Sequence, residues 1–214
     1  MAIKFHVLNT SGKLNKYKTK IVDTAKQSFN VIRNFIPIDN VDVIVYSRKT
    51  FPLIGVGGYT PDANTVFLYI DTDYQHLESS IETQVLRILA HESHHCLRWR
   101  DPGYGKTLFE AMISEGLADH FDLEVTGKMP QPWSIALRDD KLQEMEEKAK
   151  PSYWTEYDHP LWFYGSNANE IPNWTGYSLG FKFVGEYLKI SNERPSNLYN
   201  KPAEDIYDTL NNYK

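Results

Sequence analysis

The stretch 91–95, His-Glu-Ser-His-His, restricts what this chain can fold into more than any other part of it. It lies inside residues 78–100, where Ile81, Val85, Ile88, Leu89, Cys96 and Trp99 recur with a helical period. A helix therefore carries the motif. His91 and His95 are separated by about 400° of helical rotation, so both project from one face. Two imidazoles at that spacing can grip one metal ion, and the intervening Glu92 can reach a water on the same ion. The run combines a pair of ligands with a general base, as metal-assisted hydrolysis requires.

A catalytic site of this kind needs a third protein ligand and a group that orients a ligand imidazole. The next helical stretch, residues 107–125, offers both. Thr107 and Glu110 fit a capping box at its start. Leu108, Ala111, Met112, Leu117, Ala118 and Phe121 supply an apolar face. Glu115 falls inside that pattern, beside the small residues Ser114 and Gly116. A carboxylate near a core face is unfavourable unless it is paired or binds metal. Asp119 follows one turn later on the same side. This spacing lets one carboxylate bind a metal while the other accepts the free N–H of a ligand imidazole.

HESHH followed by EGLAD resembles the gluzincin branch of the zincins, where H-E-x-x-H precedes E-x-x-x-D on a following helix. HESHHCLRW, TLFEAMISEGLADHF and PNWTGYSLGFKFVGEYL together resemble a bacterial family of predicted zinc-dependent proteases of H-E-x-H-H type, a domain of unknown function. The likeness spans roughly residues 50–190. It implies zinc as cofactor, with His91, His95 and Glu115 as ligands and Glu92 as the base that deprotonates a metal-activated water. It also implies Asp119 as the partner of a ligand histidine, His91. Ser114 stands where thermolysin-like enzymes often carry Asn before the ligand Glu, so the likeness lies in the site more than in thermolysin itself. The implied fold is α+β and zincin-like: a small mixed sheet with an edge strand beside the H-E-x-x-H helix, then a mainly helical C-terminal lobe. Residues 1–214 are expected to form a single metallopeptidase domain, with the sheet and active-site helix in 1–105 and the third ligand in 106–214.

The resemblance suggests further roles. Edge strands of zincins hold substrate in extended form, and Gly55–Tyr59, within the glycine-rich residues 51–60, FPLIGVGGYT, supplies such a strand. Gly57, Gly58 and Tyr59 are then expected to pair with a peptide backbone; the alternative is a bulged strand without a ligand. Related sites place a Tyr or His after the ligand Glu to stabilise the oxyanion. Tyr177, in GYSLG, fits that role, with His159 and Tyr164 in reserve; a tyrosine capping the core is the other reading of Tyr177. His94 reads as flanking the site and His120 as a surface residue. The expected activity is zinc-dependent hydrolysis of a peptide or protein substrate. The alternative is a zinc-bound regulatory or binding domain that keeps the metal for folding. Glu92 favours the enzyme, because a purely structural site has no use for a base.

A net charge of −5 argues against nucleic acid or an anionic membrane as partner. The single cysteine excludes an intramolecular disulfide, and Cys96 reads as a buried helix residue rather than a ligand. The first residues lack an apolar signal core, and no run of about 18 apolar residues occurs, so a cytoplasmic location is expected. Strands are predicted at 2–9, 41–46 and 65–71, with a turn at 61–64. Further helices are predicted at 14–35, ended by Pro37, and at 134–150, 174–187 and 203–211. The aromatic-rich residues 151–174 read as an irregular wall of a cleft.

Overall fold

The computed structural model describes residues 2–50 and 54–213. Residues 51–53, at the start of the glycine-rich stretch 51–60, lie outside the described residues. The chain divides into two compact units, Met1–Arg100 and Asp101–Lys214. The fold class is α+β, a small mixed sheet with a mostly helical remainder.

In the first unit, strands β1 (Ile3–Leu8), β2 (Val41–Ser47), β3 (Val56–Asp62) and β4 (Thr65–Ile70) form one sheet in the order β1-β2-β4-β3. β1 and β4 both run parallel to β2, whereas β3 returns antiparallel to β4 and forms an edge. Alternation along the strands buries Val43, Val45, Val66, Leu68 and Ile70 on one face. Helices α1 (Lys18–Ile32) and α2 (Leu77–Arg100) pack on each other, and α2 lies against β3 and β4. Of the residues that its period turns inward, Ile21, Ala25, Phe29 and Ile32 are buried, whereas Val22 is half-buried and Phe35, also half-buried, lies beyond the end of the helix.

Local chemistry moves several boundaries. The Asn9 side-chain oxygen accepts the Leu14 N–H at 2.9 Å, and Gly12 turns the chain with φ 74°, so α1 starts at Lys18 rather than near residue 14. At its other end α1 stops ahead of Pro37: the Arg33 side chain reaches out to the Ile38 carbonyl and to Asp39. Pro61 is not in a turn but inside β3. The register slips between Tyr59 and Asp62 there, and a bulged edge strand accommodates a residue that has no N–H. The turn is carried by Ala63 and Asn64, whose N–H donates to Asp62 Oδ1 at 2.8 Å.

The second unit is built from α3 (Leu108–Thr126), α4 (Asp139–Ala149), α5 (Thr175–Ser191) and α6 (Ala203–Asn212). Thr107 and Glu110 form the predicted capping box, and Gly127 ends α3 in the left-handed conformation. α4 is shorter than the predicted 134–150 because the chain before it is held elsewhere. Ser134 donates to Asp119, and the Leu137 N–H donates to Ser178 Oγ. Residues 151–174 run through short turns, among them a π-helical turn at Pro160–Tyr164 that buries Trp162 and Phe163. Among the described residues, no helix is long and apolar enough to cross a membrane.

α3 and α5 form the closest helix pair of this unit, and glycine sets the distance. A Cβ on Gly116 would lie 2.2 Å from the Gly180 carbonyl oxygen, and one on Gly180 would lie 2.0 Å from that of Met112. Both contacts are with backbone, which cannot swing aside. Gly180→Ala is therefore expected to lower stability by about 1–3 kcal/mol through overpacking, read as a lower urea midpoint by circular dichroism.

Candidate metal centre

On α2 the motif residues are withdrawn from solvent: His91 is 8%, Glu92 6% and His95 5% exposed. The two Nε2 atoms of His91 and His95 are 3.0 Å apart, with ring planes at 80°. Two nitrogens bound to one tetrahedral zinc at about 2.0–2.1 Å lie about 3.3 Å from each other. The observed separation is within a few tenths of an ångström of that spacing.

Glu92 is aimed by β3. The Thr60 hydroxyl donates to Glu92 Oε2 at 2.8 Å and lies 3.1 Å from the Glu92 carbonyl oxygen. Two turns further along α2, the Trp99 indole donates to the Thr60 carbonyl at 3.0 Å, which ties strand and helix together again. Gly58 sits directly against Glu92. A Cβ there would fall 2.6 Å from both Cγ and Oε1 of Glu92 and 2.7 Å from Ile88. Gly57 and Tyr59 point away from α2 by strand alternation. Tyr59 is exposed and stacks on Phe67 at 6.3 Å. Burial, reinforced by the Glu92 carboxylate, pushes the Cys96 thiol up to about 12, so that residue packs as an apolar one.

On α3 the carboxylates are equally withdrawn, Glu115 being 5% and Asp119 2% exposed. The Tyr104 hydroxyl donates to Glu115 Oε1 at 2.6 Å. Burial and the nearby Glu115 charge raise the Tyr104 pKa well above the ordinary phenol value, so it remains a donor. Asp119 accepts from the Trp133 indole at 3.0 Å on Oδ1 and from the Ser134 hydroxyl at 2.7 Å on Oδ2. His91, His95 and Glu115 are buried side chains that could hold a metal ion. Two imidazole nitrogens and a carboxylate oxygen suit zinc.

The sequence pattern of a family described as "Predicted Zn-dependent protease (DUF2268)" matches residues 17–208. The chain belongs to that family. The match runs through both helices that carry the motif residues. Neither a curated protein nor a solved structure matches the chain.

The remaining sequence-derived candidates sit in the helical unit. Tyr177 occupies the first turn of α5, half-buried and edge-on to the Phe163 ring at 5.0 Å. His159 stacks on Phe163 at 4.3 Å and takes the Tyr157 hydroxyl on Nδ1 at 3.3 Å; Tyr164 is exposed. His120 is not a surface residue. Its ring stacks on Phe181 at 4.1 Å, and its Nε2 donates to the Phe181 carbonyl at 2.9 Å. Sequence reasoning missed Thr60, Tyr104, Trp133 and Ser134. Thr60 had a signal, since it shares the Gly58 face of the strand by period two. The others reach their carboxylates only through the folding of loops, which no periodicity records.

Two outcomes follow from these contacts. Gly58→Ala is expected to reduce stability by about 1–3 kcal/mol, while Gly57→Ala, whose nearest atoms would be at 3.5 Å, leaves the urea midpoint nearly unchanged. Burial lowers the His120 pKa below its ordinary 6.5, so the unfolded chain binds the proton more readily. Stability is then lost as pH falls through about 6.5, and His120→Gln should lose less of its melting temperature between pH 7 and pH 5 than the unaltered protein.

Proposed function

We propose that this chain hydrolyses peptide bonds at a zinc site of gluzincin type carried on a zincin-like fold. The observation that carries the reading is the buried trio His91, His95 and Glu115, in a chain whose family is described as zinc-dependent proteases. Three protein donors leave a position open for water or substrate, as in catalytic rather than structural zinc sites. Zinc bound by these residues supplies a Lewis acid and brings a coordinated water towards neutral pKa.

The chain's own groups do the rest. Glu92 takes the proton of the attacking water and delivers it to the leaving amine. Thr60 holds Glu92 Oε2 and so sets the orientation of that carboxylate. Asp119, its carboxylate fixed by Trp133 and Ser134, is the group assigned to orient a ligand imidazole, that of His91. Tyr177 donates its hydroxyl to the developing oxyanion. The substrate is a peptide or protein segment in extended form, pairing with the edge strand β3 through the backbone of Gly57, Gly58 and Tyr59. The bare Cα of Gly58 lets that backbone run against the base.

The test is cleavage of a diverse peptide mixture followed by mass spectrometry, with zinc content measured on the same protein. Cleavage is expected with zinc present. It should disappear with chelator and fall at least about 100-fold in Glu92→Gln, which retains its zinc. Zinc bound without any cleavage by the unaltered protein would move the assignment to a zinc-bound binding domain. Failure to take up zinc would remove the ligand assignment itself.

A further inference from the structure

The turn that precedes α3 is fastened to that helix at successive points. The Glu110 carboxylate accepts the N–H groups of Lys106 and Thr107 and the Thr107 hydroxyl, at 2.8–2.9 Å. Gly105, with φ 121°, passes so close that a Cβ would lie 2.4 Å from that of Glu110. One turn further along α3, the Ser114 hydroxyl donates to the Tyr104 carbonyl. The side chain of Tyr104 is thereby directed along the helix, and its hydroxyl ends 2.6 Å from Glu115 Oε1. Ser114 and Glu115 are adjacent, so one residue anchors the backbone of Tyr104 and the next receives its side chain.

We infer that Tyr104 is a positioning residue for the third zinc ligand: its hydroxyl occupies Oε1 of Glu115 and presents Oε2 alone to the metal. A carboxylate with both oxygens unrestrained can rotate and bind a metal through one or both of them. With one oxygen held by a neutral donor, its orientation is set before the ion arrives and its full negative charge is kept. Pre-orientation of this kind raises metal affinity, and loss of an outer-shell hydrogen bond typically weakens it about 10–100-fold. The inference rests on the ligand role proposed for Glu115.

The experiment is zinc affinity by competition with a chromogenic chelator for the unaltered protein, Tyr104→Phe, Glu115→Ala and the double variant, together with melting curves of the zinc-free forms. Tyr104→Phe, which deletes one oxygen atom, is expected to weaken zinc binding about 10–100-fold while the zinc-free melting temperature stays close to that of the unaltered protein. In the Glu115→Ala background the same change should have no further effect on zinc, because the group it positions is gone. If Glu115→Ala weakens zinc binding and Tyr104→Phe leaves it intact, the positioning role is overturned and the ligand stands. Unchanged zinc affinity in Glu115→Ala would overturn the ligand reading itself. A Tyr104→Phe effect that persists undiminished in the double variant would mean that Tyr104 acts on folding instead of on Glu115.

Discussion

Burying a carboxylate is the most demanding act in this structure, and among the carboxylates so withdrawn are Glu92, Glu115 and Asp119. An ionised group withdrawn from water is unfavourable by several kcal/mol unless its oxygens are hydrogen-bonded. Each of the three accepts from neutral donors: Thr60 for Glu92, Tyr104 for Glu115, Trp133 and Ser134 for Asp119. A neutral donor satisfies a lone pair without cancelling the charge. A carboxylate held in this way stays available to a proton, an imidazolium or a metal ion, as a residue of a hydrolytic centre must.

Those donors come from elements outside the two motif helices. Thr60 belongs to the edge strand β3, which has to run close against α2 for its hydroxyl to reach Glu92. Gly58 makes that approach possible, since any side chain there would meet Glu92 and Ile88. Trp133 and Ser134 lie in the non-helical chain before α4, and Tyr104 lies in the turn before α3. Irregular chain segments therefore satisfy the buried charge, and their shape is fixed by further contacts such as those of Glu110, Ser114 and Ser178.

Glycine also governs the helical unit. Gly116 separates Glu115 from the apolar continuation of α3, and its bare surface receives the Gly180 carbonyl of α5. The EGLAD stretch consequently does two jobs in adjacent residues. Glu115 belongs to the group of side chains that could hold a metal ion, and Gly116 brings in α5 against α3. Gly176 has a similar role at the start of α5, where a Cβ would meet the Phe163 ring at 2.7 Å.

The sequence by itself determined the elements with strong periods and the ligand types. The helix bearing His91, Glu92 and His95, the capped helix bearing Glu115 and Asp119, and the β-branched strands β2 and β4 were all legible, because spacing along a helix or strand fixes which side chains share a face. The likeness of the two motif words to zinc proteases was equally legible, and the family match over residues 17–208 agrees with it. The sheet order β1-β2-β4-β3, the inclusion of Pro61 in β3, the delayed start of α4 and the burial of His120 belonged to the tertiary structure. So did Tyr104, Trp133 and Ser134 as carboxylate partners. Each depends on a contact between residues distant in the chain or on a loop closed by side-chain hydrogen bonds, and local periodicity carries no information about either.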